Sequence, residues 1–294
     1  MAEQRIDVPP EAAGERLDAF LAAHAGSRSQ AARLIAGAQV SVDGRARPKR
    51  HVLDGGEVIT IALPEPSAAV LSPTASTASF RVALEDEALL VIDKPAGVVV
   101  HPGRGNWEGT LAQALGLDLE RGGIVHRLDK DTSGLLVVAR TETVQRALQE
   151  SIRAREVHRE YLTLVTGRPE SRSGTIDAPL GRDRHNRLIQ SLDTDSPREA
   201  RTHFEIVEAL PGATLLRVRL ETGRTHQIRV HMQAIGHPVC GDPAYGGANR
   251  YGLTRQFLHA ARLAFTHPLS GGPVDVSSPL PEDLAAALEL ARTG

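Results

Sequence analysis

The sequence predicts an α+β fold in two domains: a small N-terminal α+β domain, then a larger one with a mixed, largely antiparallel central sheet and flanking helices. First, a length of 294 residues exceeds one ordinary domain, so each of two domains can bury a core. Second, a run rich in Pro, Ser, Ala and Thr separates residues 1–63 from residues 80–294, and we interpret 64–79 as a linker. Third, strand and helix patterns follow one another without a regular β-α-β repeat or a glycine-rich phosphate loop.

The composition argues against several classes of protein. Hydrophobic residues make up 41% of the chain, which fits a globular fold. No stretch approaches the roughly 20 apolar residues that cross a bilayer, and the N-terminus lacks the basic start and apolar run of a secretion signal. The single Cys240 cannot form an internal disulfide, and no Cys/His group has the spacing of a zinc site. We therefore expect a cytoplasmic protein without membrane contact or a bound metal.

The charge of the chain is nearly balanced, but the basic residues are clustered. A net charge of −2 and a pI of about 6.6 argue mildly against nucleic acid as a partner. Basic clusters occur at Arg45, Arg47, Lys49 and Arg50, at Arg182, Arg184 and Arg187, and at Arg217, Arg219, Arg224 and Arg229. A charge cluster usually forms a solvated face, so these clusters indicate a binding surface only where they converge in space.

The N-terminal segment predicts two helices and a short hairpin. Apolar residues between 14 and 25 recur at helical spacing, and a second helix is predicted to begin at Ser27 and to end at Gly37. Val40 and Val42 alternate with polar residues before an Asp-Gly turn, and 58–63 reads as a closing strand.

This segment resembles the alpha-L RNA-binding domain of a ribosomal small-subunit protein. The matching stretches are RLDAFLA, SRSQAARLI and VSVDGRARPKRHVLDGGEVITI, which together cover nearly all of residues 16–61. The resemblance implies a module that contacts RNA phosphates with little readout of sequence. The residues it indicates are Arg28, Arg33, Arg45, Arg47, Lys49 and Arg50. The alternative is a solvated basic hairpin without a partner.

The second domain begins near residue 80. Strands are predicted at 89–92 and 98–101 around a turn at 94–97, and further strands at the VHREYLTLVTG segment and at 214–220. Residues 141–155 have helical periodicity, 181–204 reads as a polar loop, and PEDLAAALELAR predicts a closing helix that begins with proline. Around Arg229, the pattern fits either a strand or the start of a helix.

Residues 123–140, GIVHRLDKDTSGLLVVAR, combine a buried strand with a polar loop. The uninterrupted apolar run 135–139 is typical of a strand covered on both faces. The turn-forming residues 131–134 precede it, which places His126, Arg127, Asp129 and Lys130 on a loop that enters the strand. On local sequence alone, a structural ion-pair network is the favoured interpretation, and catalysis is the alternative.

Six segments in series resemble the RluA/RluD family of ribosomal-RNA pseudouridine synthases. They are DKPAGVVVHPG, HRLDKDTSGLLVVAR, the strand containing Tyr161, ARTHFEIVE, LETGRTHQIRVHMQAIGHPVCGDPAYG and LHAARLAFTHP, in the order of the family over nearly all of 80–281. The resemblance implies the pseudouridine synthase fold and a monomer that isomerises specific uridines in RNA. Large-subunit ribosomal RNA is the expected partner, and transfer RNA is the main alternative.

Carried over residue by residue, the resemblance makes Asp129 the catalytic carboxylate. Tyr161 matches the aromatic residue that lies against the uracil, and Arg229 matches the basic residue that pairs with the aspartate. The chain has Arg159 where the family commonly has Lys, which keeps the charge, and Phe204 where the family often has Tyr.

The chemistry needs residues of these types. Isomerisation requires no redox or nucleotide cofactor, and we expect none. A carboxylate supplies the ionised oxygen, and a guanidinium beside it favours the charged form. Stacking on Tyr161 would hold a detached uracil with about 1 to 3 kcal/mol per base. Whether the carboxylate attacks the sugar, attacks the ring or removes a sugar proton stays open.

The target uridine must leave its stack to be modified. Arg127 is a candidate to fill the vacated space, and Arg224 is a candidate phosphate contact. Two rival functions remain at this point: a non-catalytic RNA-binding protein of ribosome assembly, and a hydrolase built on Asp129, Ser133 and His126.

Overall fold

The computed structural model describes residues 2–25, 28–63, 80–101, 110–116 and 123–294. Its contacts divide the chain into two compact units, Met1–Ala68 and Ala69–Gly294. The division falls inside 64–79, and the linker predicted there lies outside the described residues. Each unit is described by itself.

The first unit packs short helices on one antiparallel sheet. The described elements are β1 (Ala2–Asp7), α1 (Leu17–Phe20), α2 (Ala22–Ala25), α3 (Arg28–Ala36), β2 (Val40–Val42), β3 (Arg45–Ala46) and β4 (Val58–Leu63). The strand order is β1-β4-β2-β3. Ile59 and Ile61 of β4 are buried with Leu17 and Leu21, so the alternation of β4 forms this core.

Two features of this unit differ from the sequence-based expectation. The predicted first helix is divided at Leu21 into α1 and α2, and this turn keeps Leu17 and Leu21 fully buried on the sheet. Strand β1 was not predicted. It pairs antiparallel with β4 along its whole length, and a long-range partner of this kind leaves little local signal.

The second unit is built on one large mixed sheet. The described strands are β5 (Arg81–Glu85), β6 (Leu89–Lys94), β7 (Ser133–Ala139), β8 (His158–Thr166), β9 (Ser173–Asp177), β10 (Gly181–Arg182), β11 (Gln190–Ser191), β12 (Arg201–Leu210), β13 (Ala213–Leu220), β14 (Leu258–Thr266) and β15 (Pro273–Ser277). The described helices are α4 (Leu111–Ala114), α5 (Glu142–Arg153), α6 (Gln227–Ala234) and α7 (Glu282–Thr293). The large sheet has the order β5-β6-β7-β14-β8-β13-β12-β9, with β15 on β14, while β10 pairs only with β11.

The sheet is mixed and largely antiparallel, as predicted. Within the described ranges, the parallel pairing joins β7 to β14. Every residue of β7 is buried, because separate apolar clusters cover its two faces. Gly134 makes the close approach possible: it has a φ of +110°, and a Cβ atom there would lie 2.2 Å from the Ala260 carbonyl oxygen. This contact brings the polar loop before β7 next to β14.

Three local predictions are changed by the structure. The predicted strand at 98–101 is wrong, because the carbonyls of Val99 and Val100 accept hydrogen bonds from the N-terminal turn of α4 instead of a strand partner. Strand β12 begins at Arg201, inside the predicted loop 181–204. The segment around Arg229 is a helix, α6. No helix in the described ranges has the length and apolarity to span a membrane.

Candidate active site

A cavity of about 400 Å³ opens beside the loop that precedes β7. Its walls come from this loop, from β8 and from the turn that leads into α6. Asp129, Tyr161 and Arg229 all line it, so the fold brings together the three side chains predicted to be catalytic. They come from separate parts of the chain.

Two buried cations hold the backbone on the C-terminal side of Asp129. The fully buried Lys94 donates hydrogen bonds to the carbonyls of Pro95, Val98 and Lys130 at 2.8 to 2.9 Å. Burial lowers the pKa of Lys94 to about 7, although the charge of Asp131 opposes this shift. Arg255 donates to the carbonyl of Asp131 at 2.9 Å. The loop therefore presents Asp129 from a fixed backbone.

Arg255 also connects this loop to the C-terminal helix. Its guanidinium makes a bidentate pair with Asp283 in the first turn of α7, at 2.7 and 3.0 Å. The same guanidinium lies 3.3 Å from the hydroxyl of Ser133, and that hydroxyl is 3.0 Å from Nδ1 of His259. Both Ser133 and His259 are buried, so this pair fixes structure away from the cavity.

The geometry disfavours the hydrolase interpretation. His126 accepts a hydrogen bond from the backbone N–H of Val137, at 3.3 Å, and does not contact Ser133. Burial, with a smaller contribution from Arg159, lowers the pKa of His126 to about 3, so its ring is neutral at physiological pH. The structure therefore forms no Ser-His-Asp arrangement from Asp129, Ser133 and His126.

Arg229 joins two carboxylates. Its Nη1 lies 3.2 Å from Oδ2 of Asp129, while Nε and Nη2 make a bidentate pair with Asp242 at 2.6 and 2.9 Å. Asp242 is fully buried and Arg229 is 8% exposed. Burial alone would lower the pKa of Arg229, but the hydrogen bonds and charges of the two carboxylates raise it above its usual value. Arg229 therefore stays cationic, and Asp242 fixes the direction in which it faces Asp129.

A second group of side chains supports Asp129 from the same side. The guanidinium of Arg229 lies over the ring of Tyr245, 4.8 Å from its centroid. The Tyr245 hydroxyl accepts a hydrogen bond from the backbone N–H of Gln190 at 3.0 Å and lies 2.7 Å from Nδ1 of His226. Nε2 of His226 is 3.9 Å from Oδ2 of Asp129.

These contacts favour one tautomer of His226. Burial lowers its pKa, with the charges of Asp129 and Arg229 acting in opposite directions, so the ring is neutral. A Tyr245 hydroxyl that donates to Nδ1 of His226 leaves the ring hydrogen on Nε2, the nitrogen nearer to Asp129. His226 has a φ of +57°, a left-handed conformation that is unusual for a non-glycine residue and typical of functional sites.

Tyr161 forms an apolar wall of the cavity. It belongs to β8, is 6% exposed and packs in one cluster with Val218, Ile228 and Ala260. Burial raises the pKa of its hydroxyl, so the side chain is neutral and protonated. The ring therefore contributes an uncharged aromatic wall to the cavity.

The predicted basic residues fall into separate groups. Arg127 is exposed and Arg224 is half-buried, and both line the cavity. Arg217 and Arg219 are exposed on β13 and line a different hollow, so this basic cluster does not converge as a whole. Of the basic residues predicted to bind RNA in the first unit, Arg45, Arg47, Lys49 and Arg50 are exposed. Arg28 and Arg33 belong to α3, and their side chains lie outside the described part of the chain.

Sequence reasoning missed Asp242, Tyr245 and His226 as parts of the site. All three lie in the segment LETGRTHQIRVHMQAIGHPVCGDPAYG, and Tyr245 is one of only three tyrosines in the chain. His231 instead bonds Thr202 and the Ala178 carbonyl, at 2.8 and 3.0 Å. In the described ranges, no group of three or more His, Cys, Asp or Glu side chains is placed to hold a metal ion.

Comparison with known proteins identifies the family. Residues 88–234 match the family model described as RNA pseudouridylate synthase. The ribosomal large subunit pseudouridine synthase D of Xanthomonas campestris pv. campestris is 44% identical over an alignment of 306 positions, which covers 97% of this chain and 91% of the relative. The chain belongs to the RluA/RluD family of RNA pseudouridine synthases. Its members are isomerases that act on RNA.

Two further comparisons agree with this family. The ribosomal large subunit pseudouridine synthase D of Nitrosomonas europaea is 44% identical over 303 positions, covering 98% of this chain and 87% of the relative. The solved structure of human RNA pseudouridylate synthase domain containing 1 is 26% identical, with a TM-score of 0.58 over 71% of this chain and 87% of that chain. The region that matches the pseudouridine synthase family model includes Asp129, Tyr161 and Arg229 but ends before Asp242 and Tyr245.

Proposed function

We propose that this RNA pseudouridine synthase isomerises uridines in large-subunit ribosomal RNA and that Asp129 is its catalytic carboxylate. The observation that carries the proposal is the asymmetry of this carboxylate. Oδ2 is bound to Arg229 at 3.2 Å, whereas Oδ1 has no hydrogen-bond partner among the described residues. The side chain is 16% exposed and lines the cavity. One oxygen is therefore anchored, and the other has no bond to a described residue that a substrate would have to displace.

This arrangement suits an oxygen that reacts while ionised. Arg229 places a positive charge beside Asp129, and Nε2 of His226 lies 3.9 Å from the same oxygen. A fixed cation favours the carboxylate form without blocking Oδ1. A protein that only binds RNA has no need of such an arrangement, which disfavours the non-catalytic alternative.

Tyr161 is proposed to hold the uracil during the reaction. Its ring and the neighbouring apolar side chains of Ile228 and Leu258 line the cavity opposite the polar loop. Stacking restrains a detached base without fixing its rotation in the plane of the ring, which the isomerisation requires. Arg127 and Arg224 also line the cavity. Arg127 is proposed to fill the space that the flipped base leaves, and Arg224 to contact a phosphate.

The N-terminal unit is proposed to bind RNA phosphates. Arg45, Arg47, Lys49 and Arg50 are exposed on and after the β2–β3 hairpin, as an RNA-binding surface requires. Residues 64–79 are proposed to be a linker to the catalytic domain 80–294, and the enzyme to act as a monomer in the cytoplasm. The names of the relatives support large-subunit ribosomal RNA as the substrate.

The test compares RNAs and variants directly. Large-subunit ribosomal RNA and transfer RNA transcripts are incubated with the enzyme, and pseudouridines are mapped. The expected result is modification of the ribosomal RNA that disappears in Asp129→Asn, although this variant binds RNA as tightly as the wild type. Asp195→Asn, at a side chain that is 75% exposed, is the control and should be fully active. Modification of transfer RNA alone would refute the substrate, and an active Asp129→Asn would refute the catalytic assignment.

A further inference from the structure

Arg159 is a buried cation without a matching anion. It is 5% exposed, its Nη2 donates to the carbonyl of Glu221 at 3.3 Å, and its Nε has no hydrogen-bond partner. No carboxylate of the described residues forms an ion pair with it, unlike Arg229, which is equally buried and has two. Burial lowers the pKa of Arg159, and the opposing contribution comes from the neighbouring Tyr161. A buried charge left unpaired in this way is unfavourable in the free enzyme.

Arg159 lies where a molecule bound in the cavity could compensate its charge. It lies two residues before Tyr161 on β8, so both side chains project from the same face of the strand and both line the cavity. Gly223 lies directly against the guanidinium: a Cβ atom at this position would be 2.7 Å from Nη1. The absence of a side chain at residue 223 thus leaves room for Nη1 at the cavity wall.

We propose that Arg159 is a further catalytic residue, which binds the exocyclic oxygens of the target uracil and stabilises the negative charge of the base when it leaves the ribose. This inference rests on the proposed function of the cavity. It requires a route in which Asp129 acts on the sugar rather than on the ring.

The charges of this step balance. When the N1–C1′ bond breaks, its electron pair passes to N1 and is shared with O2 and O4 of the uracil. The electron deficiency at C1′ is met by the carboxylate of Asp129, either by attack or by loss of a sugar proton to it. As C5 bonds to C1′, the carboxylate of Asp129 leaves C1′ or returns the proton to the sugar. C5 then loses its proton and N1 gains one, so the overall reaction is an isomerisation. Between these events the base is an anion, and Arg159 supplies the cation beside it.

The surroundings of Arg159 favour the base over a phosphate as its partner. Arg159 lies at the wall formed with Tyr161, whereas Arg127 is exposed and Arg224 is half-buried, so these two are available to phosphates. The neighbouring His126 ring is neutral and its Nε2 is already occupied by Val137, so it offers no acceptor at that atom. A planar base stacked on Tyr161 would bring its carbonyl oxygens to a donor two residues away on the same strand face.

The experiment varies both the arginine and the leaving group. Single-turnover rates are measured for Arg159→Met, Arg159→Lys and Gly223→Ala, on one RNA that carries either uridine or 5-fluorouridine at the target. Loss of the target nucleoside is followed by mass spectrometry of digested RNA. Fluorine stabilises the uracil anion, so the base leaves with less help from the enzyme. Binding of the RNA is measured in parallel.

With uridine, Arg159→Met should be slower by about 100- to 1,000-fold, the usual effect of removing one donor to a developing charge, with RNA affinity within twofold of the wild type. With 5-fluorouridine the loss should be at least tenfold smaller. Arg159→Lys should recover part of the rate, and Gly223→Ala, which displaces the guanidinium, should show the same dependence on the leaving group.

If the variants lost the same factor in rate with uridine and with 5-fluorouridine, the proposal would be overturned, because the effect of a structural defect does not depend on the leaving group. Weaker RNA binding with an unchanged rate would overturn it as well, in favour of a phosphate contact. Failure of the proposed function would appear elsewhere: the wild type would form no pseudouridine in the RNA, or Asp129→Asn would remain active.

Discussion

Asp242→Asn tests whether the Asp242–Arg229–Asp129 chain aligns the carboxylate. Asp242 is fully buried and accepts two charge-assisted hydrogen bonds from Arg229, at 2.6 and 2.9 Å. Asparagine removes the negative charge and places an NH₂ group where one of these bonds was. Breaking a buried pair in this way costs about 3 to 5 kcal/mol of folding stability. Because Asp129, 3.2 Å away, still compensates Arg229, we expect the lower end, about 3 kcal/mol.

This loss has two measurable consequences. For a domain of this size, about 3 kcal/mol corresponds to a lowering of the thermal midpoint by roughly 6 to 12 °C. The rate should also fall, because Arg229 is no longer held from behind, and a displacement of about 1 Å in such a group costs on the order of 100-fold. Thermal unfolding followed by circular dichroism and single-turnover pseudouridine formation measure the two effects independently.

Asp275→Asn is the matched control. Asp275 makes the same bidentate pair with an arginine, Arg262, at 2.8 and 2.6 Å, but its side chain is 50% exposed. Exposed ion pairs contribute little to folding stability, so neither the thermal midpoint nor the reaction rate of this variant should change measurably. If Asp242→Asn melted and reacted like this control, the reasoning about the buried pair would be wrong. A lowered midpoint with an unchanged rate would show that Asp242 stabilises the fold without orienting Arg229.

Three further predictions concern the groups around the cavity. Tyr245→Phe should slow the reaction about fivefold, the effect of losing one hydrogen bond of about 1 kcal/mol. In single-turnover measurements, the double variant with His226→Ala should be no slower than His226→Ala alone. His126→Asn should flatten the decline of folding stability as the pH falls from 6.5 towards 3. In the wild type, His126 binds a proton over this range in the unfolded state but not in the native state. In denaturant titrations, the slope of the unfolding free energy against pH should therefore be smaller by about 1.4 kcal/mol per pH unit, and an unchanged slope would contradict the assignment. Asp283→Asn should release Arg255 and thereby loosen the catalytic loop. Trypsin should then cleave faster after Lys130, and the reaction should be slower. A cleavage rate equal to that of the wild type would count against a role of Asp283 in holding the loop.

The sequence was informative about elements that have one polar face. Strand β8 and helices α5 and α7 lie close to their predicted positions, because apolar residues recur on one side of each. Helix α6 was ambiguous, since Gln227, Arg229 and His231 alternate with apolar residues as in a strand, although all of Gln227–Met232 is buried in a helix. The false strand at 98–101 is apolar and short, and its carbonyls bind Lys94 and α4, which local pattern cannot show.

The candidate site was predictable only in part, for the same reason. The resemblance indicated Asp129, Tyr161 and Arg229, and the structure brings these three to one cavity, while their roles remain predictions. The supporting residues Asp242 and Tyr245 act on Asp129 only through Arg229 and His226. Such indirect relations are properties of the folded chain and leave no spacing or periodicity in the sequence.

The link from α7 to the catalytic loop bears on the order in which the enzyme becomes competent. Asp283 is synthesised long after Asp129, Tyr161 and Arg229, yet through Arg255 it holds the backbone at Asp131. A growing chain that already contains every reacting group therefore has Lys94 but still lacks the second anchor of this loop. Competence would arise when α7 docks, and not when the last catalytic residue appears.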